Sequence, residues 1–227
     1  FCTIAYNMNN IFKSSIGRKI AMALSGIFLI VFLTQHFIIN ITSVFSEEIF
    51  NMLSHFMGNN PFVQFILQPI LIAGVLFHFV MGFVLEWQNR KARPVTYAMY
   101  KGSRNSMFVS RNMIISGIVI LSFLVLHFYD FWVPEMDYKY IEVKPLDPDR
   151  YYEELIHKFE SPIRVSLYCI SFIFLGLHLV HGLSSSTQSL GANNKYASTI
   201  QKISYAFGIG IPLGFCFIAL YHFFIHF

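Results

Sequence analysis

Histidine is the residue type in this sequence that offers the most chemistry, because its ring binds metals and exchanges protons near neutral pH. Nine histidines occur among the 227 residues. Four of them, His36, His78, His127 and His178, each lie inside a different long apolar run. Ionisable side chains are costly within a membrane and mark functional sites there. A single buried histidine is explained equally well by a hydrogen bond to a backbone carbonyl, but four in four runs indicate a shared role.

The depths of these histidines follow from the helical rise of about 1.5 Å per residue. Measured from polar residues at the inner ends of the runs, His36 and His127 lie roughly 25 and 24 Å deep. On the same scale His78 and His178 lie about 18 and 15 Å deep, and His181 about 10 Å. His36 therefore pairs in depth with His127, and His78 pairs better with His178 than with His181. Two histidine pairs at two depths, contributed by different helices, are what two bis-histidine b-type haems need.

Other uses of the histidines are weaker interpretations. Zinc needs three or four ligands at one point, so a pair of histidines leaves it undercoordinated. A proton relay needs carboxylates as well, and Glu86 and Asp130 lie only near the ends of their runs. Glycines such as Gly26 and Gly176 would let a flat macrocycle approach the helices, but ordinary packing of membrane helices explains them equally well.

The elements that position the histidines are five apolar runs. They cover about 20–41, 65–88, 112–133, 163–186 and 205–225. Each run exceeds the roughly 20 residues that a spanning helix needs, and a helix satisfies its own backbone groups in lipid. Only 12% of the residues are charged, against about 25% in a soluble domain, which excludes a soluble or disordered protein. The sequence predicts an all-α integral membrane protein, in which residues 1–227 form a single five-helix domain.

The charged residues are sorted between alternate connections. The N-terminal segment and the second and fourth connections are basic, whereas the first connection carries Glu47 and Glu48 without a Lys or Arg. The positive-inside rule therefore predicts a cytoplasmic N-terminus and an external C-terminus. The net charge of +4 lies in these short clusters, so nucleic-acid binding is not predicted. The long third connection, around Asp147, is predicted to hold a short outer helix.

Four sequence segments carry a resemblance to a known family. They are 34–40 (TQHFIIN), 55–57 (HFM), 77–82 (FHFVMG) and 178–183 (HLVHGL). In order and spacing they resemble the cytochrome b membrane subunit of succinate:quinone oxidoreductases. The likeness is to the single-chain, five-helix, di-haem type found in bacterial succinate dehydrogenases and fumarate reductases, and it covers nearly the whole chain.

The resemblance implies the ligands of two b haems. These are His36 and His127 for the distal haem, and His78 and His178 for the proximal haem. The position of His181 is commonly not a ligand in such subunits. Some fumarate reductases of this type carry a carboxylate two positions before the helix-IV ligand, where this chain has Gly176, which argues against a proton path by that device.

The resemblance also implies the partners. Such subunits sit in the bacterial cytoplasmic (inner) membrane as multi-pass proteins of a respiratory complex, anchor a flavoprotein subunit and an iron–sulfur subunit, and exchange electrons with a quinone, here menaquinone. This chain has no flavin fingerprint and no cysteine cluster, so succinate and fumarate chemistry belongs to the partners and no catalytic residue is expected. Arg90, Lys91 and Arg93 are candidates for docking the iron–sulfur subunit, with topology and contact with anionic lipid as equal alternatives.

Haem propionates, as buried carboxylates, need a charged or hydrogen-bonding partner. Arg164 is the candidate for the distal haem, with snorkelling to the membrane surface as the alternative. The candidates for the proximal haem are Arg18, Ser25 and Arg90.

A quinone needs hydrogen-bond donors and a proton-exchanging group. His55, Asn40 and Asn51 are the candidates in the outer layer. Packing of the outer loop by His55 is an equal alternative, and a site at the inner face near Arg90 is the competing arrangement.

Two other functions stay open at this level. One is a di-haem cytochrome b anchor for another quinone-linked dehydrogenase, such as a hydrogenase or formate dehydrogenase. The other is a haem-free transporter that uses its histidines as a proton relay. The partner subunits distinguish the first, and the absorption spectrum distinguishes the second.

Overall fold

The computed structural model describes residues 14–91, 113–192 and 196–226. Within these ranges, five helices are long and apolar enough to cross a membrane. They are Ser15–Phe45, Val63–Lys91, Met113–Ile141, Pro162–Ser189 and Ala197–Ile225. The prediction of an all-helical protein with five such helices is confirmed.

The spanning elements and the shorter helices between them are named in chain order. They are α1 (Ser15–Phe45), α2 (Glu47–Asn59), α3 (Gln68–Lys91), α4 (Met113–His127), α5 (Arg150–Phe159), α6 (Pro162–Ser189) and α7 (Ala197–His226). A π-helical turn, Val63–Leu67, precedes α3. Two more, Phe128–Trp132 and Asp137–Ile141, extend α4 on either side of the short turn Val133–Met136.

Serine side chains cap three of these helices, namely α1, α2 and α6, and in α6 the cap is Ser161. The side chain of Ser14 accepts a hydrogen bond from Gly17 N (2.9 Å) at the start of α1. Ser46 both ends α1 and caps α2, so the chain turns sharply there. α5 begins at Arg150, which confirms the short helix predicted in the third connection. Capping oxygens satisfy amide groups that a helix leaves unpaired at its first turn.

Small residues set the contact between α6 and α7. A Cβ atom added to Gly208 would lie 2.5 Å from Val180 Cγ2, and one added to Gly176 would lie 2.9 Å from Gly208 O. The two backbones can approach only because both positions are glycine, as is common between membrane helices. For Gly176, helix packing is therefore the better of the two interpretations.

The buried hydrophobic core lies at one end of the bundle. It joins α2 and α5 to the adjoining halves of α6 and α7 through residues that include Phe50, Leu155, Phe159, Tyr168 and Phe215. The basic residues of the second connection beyond Lys91, together with Lys13 and Lys195, lie outside the described ranges.

Candidate functional site

The first histidine pair joins α1 to the end of α4. The rings of His36 and His127 face each other with their centroids 5.8 Å apart and their planes at 84°. Phe32 stacks on His36 at 5.6 Å, and Phe123 stacks on His127 at 5.7 Å. The pair therefore sits in an aromatic, water-excluding environment.

The second pair joins α3 to α6. The rings of His78 and His178 have centroids 6.2 Å apart and planes at 70°. Ser25 Oγ of α1 lies 3.0 Å from His78 Nδ1, and Ser116 Oγ of α4 lies 3.2 Å from His178 Nδ1. Of the two α6 histidines, the one whose ring faces His78 is therefore His178.

The two pairs form separate layers along the bundle. Ser25 touches the second pair and lies eleven residues before His36 of the first pair, and Ser116 lies eleven residues before His127. Eleven residues make about three turns, so in each helix the serine and the histidine share one face, roughly 16 Å apart along the axis. Both α1 and α4 therefore present the same face to both layers.

The donor set can be tested against a haem iron. A metal–imidazole nitrogen bond is about 2.0–2.1 Å long, so imidazoles on opposite sides of one iron have ring centroids roughly 6 Å apart. The observed 5.8 and 6.2 Å match this spacing. Within the described ranges, no three or more His, Cys, Asp or Glu side chains form a group that could hold a metal ion. The spacing of each histidine pair therefore fits that of two imidazole ligands of one iron.

The candidate propionate partner in the outer layer already has a carboxylate neighbour. Arg164 Nε lies 3.1 Å from Asp130 Oδ2, and Tyr168 donates a hydrogen bond of 2.9 Å to the same oxygen. Asp130 is only 1% exposed. It lies in the π-helical turn that follows His127, and such turns are frequent at functional sites.

The inner candidates are spread out. Ser25 contacts His78, as described above. Arg90 forms an exposed ion pair with Glu86, with Nε 2.6 Å from Oε1. Arg18 lies near the start of α1, about two turns before Ser25. The structure therefore brings Ser25 into contact with the inner histidine pair.

The three quinone candidates differ in the hydrogen bonds that their side chains already make. Asn51 is 3% exposed. Its amide donates to Asp149 O (2.9 Å) and accepts from Tyr152 N (2.8 Å), so it fastens α2 to the start of α5. Asn40 donates to His36 O at 2.7 Å.

His55 occupies a small polar cluster near the C-terminal end of α2. Its Nδ1 lies 3.1 Å from Asn59 Nδ2, and its ring centroid lies 6.2 Å from that of Tyr151. Asn59 also donates to the Tyr151 hydroxyl at 3.0 Å. Of the three candidates, His55 is the one whose side chain can exchange a proton near neutral pH.

An ionic cluster beside His55 was not anticipated from the sequence. Glu135 pairs with both Lys139 and Arg150, and Arg150 also bonds Glu154 at 2.5 Å. Burial alone would lower the pKa of Arg150, but its hydrogen bonds to Glu135 and Glu154 raise that pKa above the usual value. Lys139 Nζ also donates to Gly58 O (2.5 Å). The cluster therefore ties α2, α5 and the end of the third spanning helix together.

Two further residues of the site were missed as well. Ser116 could have been found from the sequence, because it precedes His127 by eleven residues, just as Ser25 precedes His36 by eleven. Tyr168 carried none, because its bond to Asp130 depends on how α4 and α6 are rotated against each other.

Comparison with known proteins bears on this geometry. The chain is 22% identical to the succinate dehydrogenase cytochrome b558 subunit of Bacillus subtilis (strain 168) over 161 residues, which cover 71% of this chain and 72% of that protein. The predicted resemblance is confirmed. No protein-family model matches the chain, and no solved structure gives a significant match.

Proposed function

We propose that this chain is the membrane anchor and electron-transfer subunit of a succinate:quinone oxidoreductase, either a succinate dehydrogenase or a fumarate reductase. The observation that carries the proposal is the presence of two histidine pairs with haem-compatible spacing in two layers of one bundle. The similarity to a succinate dehydrogenase cytochrome b subunit supports the assignment of the complex.

In this proposal His36 and His127 hold the outer haem, and His78 and His178 hold the inner haem. A bound haem b supplies reversible one-electron transfer. The four histidines would hold the iron through ring nitrogens, and Phe32 and Phe123 exclude water from the outer pair. Two layers roughly 16 Å apart along the helices give a path that leads from one face of the membrane toward the other.

The orientation follows from the charge pattern. A cytoplasmic N-terminus puts the inner pair on the side of the flavoprotein and iron–sulfur subunits, as the basic second connection requires. The quinone, menaquinone in this proposal, then binds in the outer layer. Electrons from the iron–sulfur subunit pass through both haems to reach it there. His55 is its proposed hydrogen-bonding group, since Asn51 is committed to α5 and Asn40 to its own helix.

The propionate assignments follow the same layers. Arg164 is the proposed partner in the outer layer, with Asp130 balancing its charge. Arg18 and Arg90 are the proposed partners at the inner face. Ser25 remains a candidate there, although the hydroxyl lies on His78.

The test uses the complex purified from membranes through a tag on this chain. A reduced-minus-oxidised spectrum with a b-type α-band, two haems per chain, and co-purifying flavoprotein and iron–sulfur subunits active on succinate are expected. A chain without haem would contradict the haem proposal and favour the transporter. Two haems with hydrogenase or formate dehydrogenase subunits would contradict the assignment of the complex alone.

A further inference from the structure

The inner histidine pair differs from the outer pair in the hydrogen-bond partners of its Nδ1 atoms. The relevant hydroxyls are those of Ser25 on α1 and Ser116 on α4, which reach His78 and His178 from other helices. Neither serine is close to its histidine in sequence, so both contacts are made by the fold.

Each hydroxyl has a second, fixed partner. Ser25 Oγ lies 2.8 Å from Met22 O, and Ser116 Oγ lies 2.9 Å from Met113 O. A backbone carbonyl can only accept, and a hydroxyl has one proton to give. Each serine therefore donates to its carbonyl and keeps lone pairs for the histidine, which leaves the Nδ1–H group of the imidazole as the donor.

This arrangement selects one tautomer. With the proton on Nδ1, the Nε2 nitrogen of His78 and of His178 carries the free lone pair, which is the form that binds a metal. Metal-binding histidines are oriented in this way by acceptors on the other nitrogen, and those acceptors raise the basicity of the ligand.

Among the described residues, no serine hydroxyl accepts a hydrogen bond from the Nδ1 atoms of the outer pair. His127 Nδ1 is buried without a hydrogen-bond partner among the described residues. The side-chain amide nitrogen of Asn40 lies 3.4 Å from both ring nitrogens of His36, and an amide nitrogen is a donor. The hydroxyl acceptors thus belong to one layer only.

We propose that Ser25 and Ser116 are positioning residues that orient the inner pair and lower the reduction potential of the haem it holds. This inference rests on the proposed function. An acceptor on Nδ1 makes the imidazole a stronger donor to iron, which favours the more positively charged ferric state. Removing either hydroxyl should therefore raise the potential of the inner haem and leave that of the outer haem unchanged.

The experiment is a redox titration of the purified complex carrying Ser25→Ala, Ser116→Ala or both. The component lost in a His78→Ala variant identifies the inner haem independently. Ser122→Ala is the matched control, since Ser122 lies on α4 and bonds only the carbonyl of Ile118 within the described structure (3.0 Å). We expect a positive shift of the inner component in each alanine variant, a larger shift in the double variant, and none in the control.

Threonine variants keep the hydroxyl, because the threonine side chain in a helix can also bond the carbonyl one turn before it. Ser25→Thr and Ser116→Thr should restore the wild-type potential of the inner haem. If an alanine variant binds no inner haem, the threonine variant decides, since retention of that haem at the wild-type potential supports the proposal and its loss overturns it. Two haems with an unchanged inner potential in the alanine variants would also overturn it. A wild-type complex without b haems would instead remove the proposed function.

Discussion

Tyr168 of α6 donates a buried hydrogen bond of 2.9 Å to Asp130 Oδ2, just beyond the end of α4. The carboxylate is 1% exposed and also meets Arg164 Nε at 3.1 Å. Because a buried carboxylate is tolerated only with partners of this kind, the contact locks α4 to α6 within one turn of His127. The geometry of the outer histidine pair therefore depends on a polar contact between helices.

Replacing Tyr168 with phenylalanine should destabilise the chain. The substitution removes a hydrogen bond to a charged group, which is worth about 1.5–3 kcal/mol. Thermal unfolding of the detergent-solubilised protein should shift to lower temperature. Tyr129→Phe is the matched control, because Tyr129 is 66% exposed, and an equal shift in both variants would contradict a specific role for Tyr168.

Arg164→Gln should change the reduction potential of the outer haem. The substitution removes a positive charge next to Asp130 in the outer layer. Loss of this charge stabilises the ferric haem relative to the ferrous haem, so the reduction potential should fall. Lys144→Gln serves as the control, since Lys144 pairs with Glu142 at the exposed surface. An outer potential equal to that of the wild type in Arg164→Gln would remove Arg164 as a propionate partner.

The positions of these partners show what could be predicted from the sequence. Apolar runs and the depths of the histidines depend only on helix length and rise. The pairing of His36 with His127 by depth could therefore be predicted from the sequence. The contact of Arg164 with Asp130 was not, because it depends on the rotation of each helix, which a π-helical turn changes without a marked sequence signal. Asn51 looked like a free polar group because its partners, Asp149 O and Tyr152 N, are backbone atoms of a distant segment.

His55→Ala should reduce quinone-linked turnover while succinate oxidation with an artificial acceptor and the haem content stay normal. The reason is that His55 is the proton-exchanging side chain among the proposed quinone residues, beside Asn59 and Tyr151. His157→Ala is the matched control, since the His157 side chain is 77% exposed and pairs with Glu160 on its own side of α5. Wild-type quinone activity in His55→Ala would remove this residue from the mechanism, and an inhibitor bound at the inner face would remove the outer site.

Tyr151 should make the stability of α5 depend on pH. Burial, and after it the charge of Glu135, raise the pKa of Tyr151 above its ordinary value of 10.0. The folded state thus keeps the phenol proton longer than the unfolded state, so this contribution to stability is complete below pH 10 and is lost as pH rises further. Hydrogen exchange of α5 should accelerate above that pH by more than the intrinsic base-catalysed rise of amide exchange.

The Tyr151→Phe variant tests the assignment, because it has no phenol to ionise and should show a smaller alkaline acceleration in α5. The Tyr140→Phe variant, in which the residue replaced is 56% exposed, should behave like the wild type. The same alkaline profile in Tyr151→Phe and the wild type would assign the effect to another group.

The most direct test of the central claim is the haem content of His178→Ala and His181→Ala, measured per chain in the purified complex with a reduced-minus-oxidised spectrum. The two residues lie one turn apart on α6, and His178 is the one whose ring faces His78 at 6.2 Å. We predict one haem in His178→Ala and two in both His181→Ala and the wild type. Two haems in His178→Ala with one in His181→Ala, or no b-type spectrum in the wild type, would contradict the account.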